Sequence, residues 1–512
     1  MFKNSTFKGV TFFLDIKRIR IRKNLNKFQF NNNKMSGIYR EVSNLAPKVK
    51  IDSNNNVTES DGCGENENLN RNVKLLKSLN IQKTNQKNYN LSEKSIRVEN
   101  DNLNSEWNID SSEFAKSTCN PVRKLIEQMK IEPNPELQMI ALSIGDPTVF
   151  SDIAKPDSVI KAIQKCIDDK KFDGYTPSYG TEAARQAVAR YYSRPDNLIY
   201  KFNDIILTNG CSQAIDLCIT VLANRGDNII IPKPGFSIYK TLAGTLGINV
   251  KYYSLLEENN WEIDLEELES QIDDRTKAII VNNPSNPCGS VYSRMHLLDI
   301  INLAERYRLP IIADEVYGDM VFPGNEFYYM SELTRNVPIL SCNALSKRFI
   351  LPGWRFGWVA IHDPKNYLAR VRAGFNDLTT RILGPNSLVQ ASVVEILDNT
   401  PQSYFDSIME TLATNAEIVY EKLQTLPGIV PRKPSGAMYL MVGLDMKCFP
   451  DIPTDVEFVQ MLIKEKSVFC LPAKIFECPN YIRIVITMKK EKIIEACNRI
   501  EEFVLAHYKP NS

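Results

Sequence analysis

From about residue 107 onward, short apolar runs alternate with stretches in which apolar residues recur three and four positions apart. The runs DIILTNG (204–210), NIIIP (228–232), KAIIVNN (277–283), LPIIADE (309–315) and VPILSCN (337–343) are nearly unbroken in Ile, Val and Leu. Strands covered on one face alternate apolar with polar; unbroken runs belong to strands covered on both. Between them SQAIDLCITVLA (212–223), SIYKTLAGTLG (237–247) and SRMHLLDIINLAERYR (293–308) carry the helical spacing. Strand and helix in strict turn predict an α/β fold, with a mainly parallel sheet flanked by helices. PVRKLIEQMK (121–130) predicts another helix, with Asn120 in front and Pro121 at the first helical position. After about residue 395 the pattern loosens to helices and short strands such as YIRIVIT (481–487), which predicts a smaller α+β domain.

The first 105 residues differ from the rest. Asn makes up roughly a fifth of them, with runs at Asn31–Asn33 and Asn54–Asn56, a composition that need not pack. We read them as a mostly disordered extension. The first 30 residues are basic, with Asp15 the one acid, and so are similar to a mitochondrial presequence. A coding-bias tail explains the same residues, and a cytoplasmic protein is the expectation. The expected domain plan is an extension over 1–105, a segment over 106–160 that joins the small domain, a large domain over 161–394 and a small C-terminal domain over 395–512.

Charge and composition remove several function classes. The 62 basic and 61 acidic residues leave a net charge of +1, which argues against broad attraction to nucleic acid or membrane. No run approaches the roughly 20 apolar residues of a membrane span. The 11 cysteines lack metal-type spacing, and His296, His362 and His507 have no partner pattern, so neither a metal site nor a histidine triad is expected.

Unusual residues gather at the strand ends, where ligands of open α/β sheets sit. Gly210-Cys211-Ser212, Asn282-Asn283-Pro284, Asp314-Glu315, and Asn343 shortly before Lys347 all fall there. In NNPSNPCG (282–289) an irregular turn carries a polar amide, Asn286, just after a buried strand. Asp314 ends an apolar strand, where a carboxylate is costly without a cationic partner; a protonated pyridine nitrogen would be one. In SKRFILPGWRFGW (346–358) Lys347 follows a buried run, where desolvation lowers an amine's pKa and suits it to imine chemistry. Arg355 lies in a Gly-flanked turn, suited to a phosphate. The start of a helix at Gly210-Cys211-Ser212 is a second anion site.

These residues lie in longer runs: LSIGDPTVF (142–150), GCSQAIDLC (210–218), PGFSIYKTLA (234–243), VNNPSNPCGSV (281–291), ADEVYGDMVF (313–322), KRFILPGWRFGW (347–358), RILGP (381–385) and PSGAMYLMVG (434–443). In them the chain from Trp107 onward resembles the fold-type I pyridoxal-phosphate aminotransferases and, within that family, is most similar to the branch that acts on tyrosine.

The resemblance implies a role for each residue. Lys347 carries the cofactor covalently and, once freed, moves the proton between the substrate α-carbon and the cofactor. Asp314 pairs with the pyridinium nitrogen. Tyr317 and Asn286 bond the cofactor's phenolic oxygen, and Phe236 stacks on its ring. The phosphate rests on the Cys211 and Ser212 amides, the Ser212 hydroxyl and Arg355, with Tyr175 reaching in from the partner subunit of a homodimer. Arg483 clamps the substrate α-carboxylate, assisted by Asn286 and the Gly145 backbone. The implied reaction moves the amino group of tyrosine, and of other aromatic amino acids, to 2-oxoglutarate, a first step in tyrosine catabolism. A lyase or broad-range aminotransferase on the same fold shares these cofactor contacts; a non-catalytic binding module would not need Lys347, Asp314, Tyr317 and Arg355 together. One departure stands out: the family often has Ser three residues before the lysine, and here that residue is Ala344.

Overall fold

The computed structural model describes residues 49–51, 57–59, 107, 109–129, 131–148, 155–194 and 198–510. The chain divides into two units, residues 1–107 and 108–512. In the first, Val49–Ile51 and Val57–Glu59 pair antiparallel, with Val49 opposite Glu59. These are short β-branched segments that the Asn-rich composition does not announce. The rest of the expected extension, including its presequence-like start, lies outside the described residues.

The second unit is built on an eight-stranded sheet. Its strands are β1 (Ile205–Thr208), β2 (Asn228–Lys233), β3 (Asn249–Leu256), β4 (Glu262–Ile263), β5 (Thr276–Asn282), β6 (Ile311–Asp314), β7 (Ile339–Ala344) and β8 (Gly357–His362), in the spatial order β1-β8-β7-β6-β5-β2-β3-β4. β7, β6, β5, β2 and β3 pair in parallel. β8 is antiparallel to both β7 and β1, and β4 is antiparallel to β3. β1 therefore runs with the parallel strands, and six of the eight point one way, as the unbroken apolar runs predict.

Both faces of this sheet are covered. Ile229, Ile231, Ala278, Ile280 and Ile312 join one apolar core, while Ile230, Ile279, Val281, Ile311 and Ala313 join a second. Successive side chains of a strand point to opposite faces. An uninterrupted Ile/Val run therefore feeds two cores at once, which is what excluded polar residues from it.

The helices of eight or more residues are α1 (Pro121–Gln128), α2 (Asp157–Asp169), α3 (Glu182–Tyr192), α4 (Cys211–Leu222), α5 (Ile238–Leu246), α6 (Arg294–Tyr307), α7 (Ala369–Thr379), α8 (Ser387–Asn399), α9 (Gln402–Leu423), α10 (Asp455–Lys466) and α11 (Lys490–His507). α1 starts as expected, with Pro121 in its first turn and the Asn120 side chain accepting from the Arg123 amide. A smaller antiparallel sheet follows, β9 (Ile429–Arg432), β10 (Tyr439–Leu444), β11 (Leu471–Pro472) and β12 (Tyr481–Val485), in the order β9-β10-β12-β11. The short strand Ile140–Ala141 pairs in parallel with Val468–Phe469. The N-terminal segment is thereby carried to the C-terminal part and along the edge of the site described next.

Candidate active site

The carboxyl ends of β5, β6 and β7 and the start of α4 meet β10, β12 and the Ser143–Asp146 segment around a cavity of about 680 Å³. Cys211, Ser212, Phe236, Asn286, Asp314, Tyr317, Lys347, Arg355, Arg483 and Gly145 all line it, so one site gathers every residue proposed for it except Tyr175. Tyr175 is 95% exposed and does not line this chain's cavity.

At one end the cavity is built from backbone. α4 begins at Cys211 with Gly210 as its cap, so its first amide groups face an open space. Arg355 lies across that space, with Nη2 donating to Asn209 O at 3.0 Å and Nη1 to Pro352 O at 3.0 Å. Glycine is required here on two counts. Gly210 has φ +82°, and a Cβ on it would lie 2.6 Å from Arg355 Nη2. A Cβ on Gly357 would lie 2.9 Å from the Cys211 amide nitrogen. Arg355 and the Ser212 side chain are exposed. Ser346 lines the cavity, and Ala344, the departure from the family pattern, is buried in β7.

Along the floor, Asp314 is 2% exposed. Its Oδ2 accepts from Tyr239 OH at 2.6 Å, and its Oδ1 accepts from Cys211 Sγ at 3.5 Å and from the Val316 amide at 3.3 Å. Burial pushes its carboxyl above the usual range, and those donors pull it back. Among the described residues no cation lies within ion-pair distance of it. Lys347, half-buried, donates from Nζ to Gly145 O at 2.6 Å and sits 5.8 Å from the Tyr317 ring centroid. The Tyr317 hydroxyl pairs with that of Tyr439 at 2.7 Å. Burial, with Tyr439 beside it, holds Tyr317 well above the usual tyrosine range.

The far end is dry. Arg483, 5% exposed on β12, donates from Nη1 to Asn286 Oδ1 and from Nη2 to Ser143 O, each at 2.9 Å. The Gly145 carbonyl accepts from Lys347, and the backbone contact to Arg483 comes from Ser143. The guanidinium lies 4.3 Å from the Tyr439 ring centroid and 5.1 Å from that of Phe476. Burial lowers its pKa. Its Nε finds no partner, and among the described residues no carboxylate lies within ion-pair distance of it. A buried guanidinium that lines a cavity and has no carboxylate to pair with is a receptor for an anion. Val122 and Ile126 from α1, with Phe469, Leu471 and Phe476, give the adjoining wall an apolar surface.

A family-wide sequence pattern decides what this cavity belongs to: that of "Aminotransferase class I and II" matches residues 138–500. The chain belongs to that family. It is an aminotransferase, and its cofactor is pyridoxal phosphate. Among relatives, the tyrosine aminotransferase of Mus musculus is 50% identical over 403 residues, 78% of this chain and 88% of that protein. The tyrosine aminotransferase of Dictyostelium discoideum is 47% identical over 408 residues, 79% of this chain and 98% of that protein. The structure of tyrosine aminotransferase from Leishmania infantum superposes with a TM-score of 0.76 at 35% identity, covering 79% of this chain and all of that one.

The donor set fits the cofactor of the family. The backbone end, with a helix start, Arg355 and two glycines that leave it open, suits a phosphate. The buried Asp314 carboxylate, lacking a cation, suits a pyridinium. Among the described residues no group of three or more His, Cys, Asp and Glu could hold a metal, and no helix is long and apolar enough to cross a membrane.

Tyr239, Tyr439, Ser143, Val122 and Ile126 serve the site without standing out in the sequence. For Tyr239 a signal was present. It follows Phe236 by three residues in PGFSIYKTLA, about one helical turn, and the two rings meet edge to face with centroids 5.9 Å apart.

Proposed function

We propose that this aminotransferase takes the amino group from an aromatic amino acid, tyrosine foremost, and gives it to 2-oxoglutarate. The observation that carries the reading is Arg483: a buried, unpaired guanidinium beside an apolar wall matches an α-carboxylate next to an aromatic side chain. Near 50% identity to tyrosine aminotransferases over most of their length supports it.

The site residues then divide the work. Lys347 would hold the cofactor and, as a free amine, carry the proton at the substrate α-carbon. The cofactor supplies an electron sink for the charge left on that carbon. Asp314, fixed by Tyr239 and Cys211, would keep the ring nitrogen protonated, because a carboxylate this dry favours a cationic neighbour. Tyr317 and Asn286 would donate to the ring's phenolic oxygen, Phe236 would cover its face, and the α4 amides, Ser212 and Arg355 would hold the phosphate. Donor and acceptor both present an α-carboxylate to Arg483, so one clamp serves both halves of the reaction. Tyr175, exposed in a single chain, would reach the phosphate of a partner subunit in a homodimer, and sedimentation at twice the chain mass tests that arrangement.

Incubation of the purified protein with a panel of amino acids and 2-oxo acids tests the reaction. Tyrosine with 2-oxoglutarate should give 4-hydroxyphenylpyruvate and glutamate in equal amounts. Ammonia release, or a product retaining the amino group, would assign the site to lyase chemistry. Lys347→Ala should abolish turnover and the absorbance band that comes from the covalent bond between lysine and cofactor, while leaving the cofactor noncovalently held; appreciable turnover by this variant would overturn the assignment.

A further inference from the structure

Tyr439 stands where three functional groups meet. Its hydroxyl is 2.7 Å from that of Tyr317, and the two rings are edge to face with centroids 5.6 Å apart. Its ring lies beneath Arg483, 4.3 Å from the guanidinium carbon. In the β10–β12 register Tyr439 faces Val485 and Met441 faces Arg483, so Tyr439 and Arg483 are diagonal neighbours on one face of the small sheet. Gly145, whose carbonyl receives Lys347, has no side chain, and a Cβ there would come 2.9 Å from the Tyr439 hydroxyl. The side chain is 2% exposed.

We infer that Tyr439 is a positioning residue with two separable tasks: its hydroxyl orients Tyr317 toward the cofactor's phenolic oxygen, and its ring seats Arg483 for the substrate carboxylate. This rests on the roles given above to Tyr317 and Arg483 and adds what holds them. A phenol has one proton to donate. When Tyr439 donates to Tyr317, the Tyr317 proton is free for the cofactor; without that bond the Tyr317 hydroxyl can rotate away. The ring is a different matter. A cation on a dry aromatic face is held by the ring quadrupole whether or not the ring bears a hydroxyl.

Two variants separate the tasks, read in the holoenzyme with 3-phenylpropanoate, an aromatic monocarboxylate that lacks the amino group and cannot react. Tyr439→Phe removes the hydroxyl and keeps the ring. It should raise the pH midpoint of the cofactor's visible absorbance by about half a unit or more, because the ionised phenolic oxygen loses its oriented donor. Binding of 3-phenylpropanoate should stay within about twofold of wild type. Tyr439→Leu removes both and should also weaken 3-phenylpropanoate about fivefold to thirtyfold. Should Tyr439→Leu fail to fold, the Tyr439→Phe midpoint against its unchanged carboxylate binding still decides the first task, and Tyr439→Trp, which keeps an aromatic face, replaces it for the second and should bind the probe better than Tyr439→Met. An unmoved midpoint in Tyr439→Phe, or equal weakening of the probe by Phe and Leu, overturns the inference while leaving the clamp in place. Arg483→Ala is the control: if it binds 3-phenylpropanoate as wild type does, the clamp reading itself is wrong and the inference falls with it.

Discussion

At the Arg355 end of the cavity the ligand-facing groups are backbone amides, an exposed serine and an exposed guanidinium. At the Arg483 end they are side chains sealed from water. The first end joins two short stretches of chain, with Arg355 reaching Asn209, 146 residues earlier: Gly210 caps α4, and Gly357 lets β8 approach it. The second is assembled across the sequence, since Arg483 reaches Asn286, 197 residues earlier, and Ser143, 340 residues earlier. The wet end is geometry with little desolvation to lose, so damage to it should be moderate. The dry end has removed a full charge from water and relies on its ligand to complete the pairing, so damage there should be large.

Arg483→Ala presses hardest on this contrast. Removing one member of a buried, hydrogen-bonded charge pair costs about 2–5 kcal/mol, roughly a 30-fold to several-thousand-fold loss in kcat/KM at 1.36 kcal/mol per tenfold. Both half-reactions should suffer, and cofactor affinity should stay near wild type. Arg483→Lys should recover little, because an ammonium cannot copy the fork. Near-normal kinetics for both substrates would place the carboxylate elsewhere and end the comparison.

Gly210→Ala tests the other end. The new methyl meets Arg355 in a left-handed position that disfavours any side chain, a strain of about 1–3 kcal/mol. Cofactor affinity should fall about fivefold to 150-fold, with the substrate KM restored once cofactor is saturating. A KM that stays raised at saturating cofactor would show that the two ends are coupled rather than built independently.

The same contrast governs what was legible in the sequence. Lys347, Asp314, Arg355 and Gly210-Cys211-Ser212 each stand out within a few residues of a strand end, because β-sheet order forces polar groups on buried strands to the carboxyl edge. The mainly parallel sheet was legible for the same reason, in Ile/Val runs with no polar alternation. Arg483 is different. In YIRIVIT it reads as one charge in an apolar strand, and its place came from the family resemblance rather than from its neighbours. Tyr439 and Ser143 have no local mark at all, since what matters is a β10–β12 register and a chain segment far away in sequence. Val122 and Ile126 were visible as the apolar side of α1 but not as cavity wall. Packing between distant elements is not encoded in any one window.

The mildest test concerns burial without a partner, one residue from Asp314. Glu315 is 1% exposed; its Oε1 accepts from the Met330 amide at 2.9 Å, while its Oε2 has no partner. The Tyr192 and Tyr200 hydroxyls and the Ser331 and Ser341 hydroxyls are orphaned as well. Burial pushes the Glu315 carboxyl up to about 8, and among the described residues no cation lies within ion-pair distance of it. An unfolded glutamate ionises near pH 4.5, so between about pH 4.5 and 8 the folded chain holds a proton that the unfolded chain has released. By linkage this residue's contribution to stability falls as pH rises through that window, by at most about 1.4 kcal/mol per unit, and levels off above it. Glu315→Gln keeps the Met330 acceptor and cannot ionise. It should match wild type near pH 5 and exceed it progressively toward pH 8, by about 1–3 kcal/mol there, with turnover at pH 7 little changed. Chemical unfolding of both proteins across pH 5–8 measures the difference directly, so that other titrating groups cancel. A constant gap between the two curves would mean that Glu315 ionises alike in both states, with water reaching the orphaned hydroxyls behind the sheet and the dryness ending at the cavity itself.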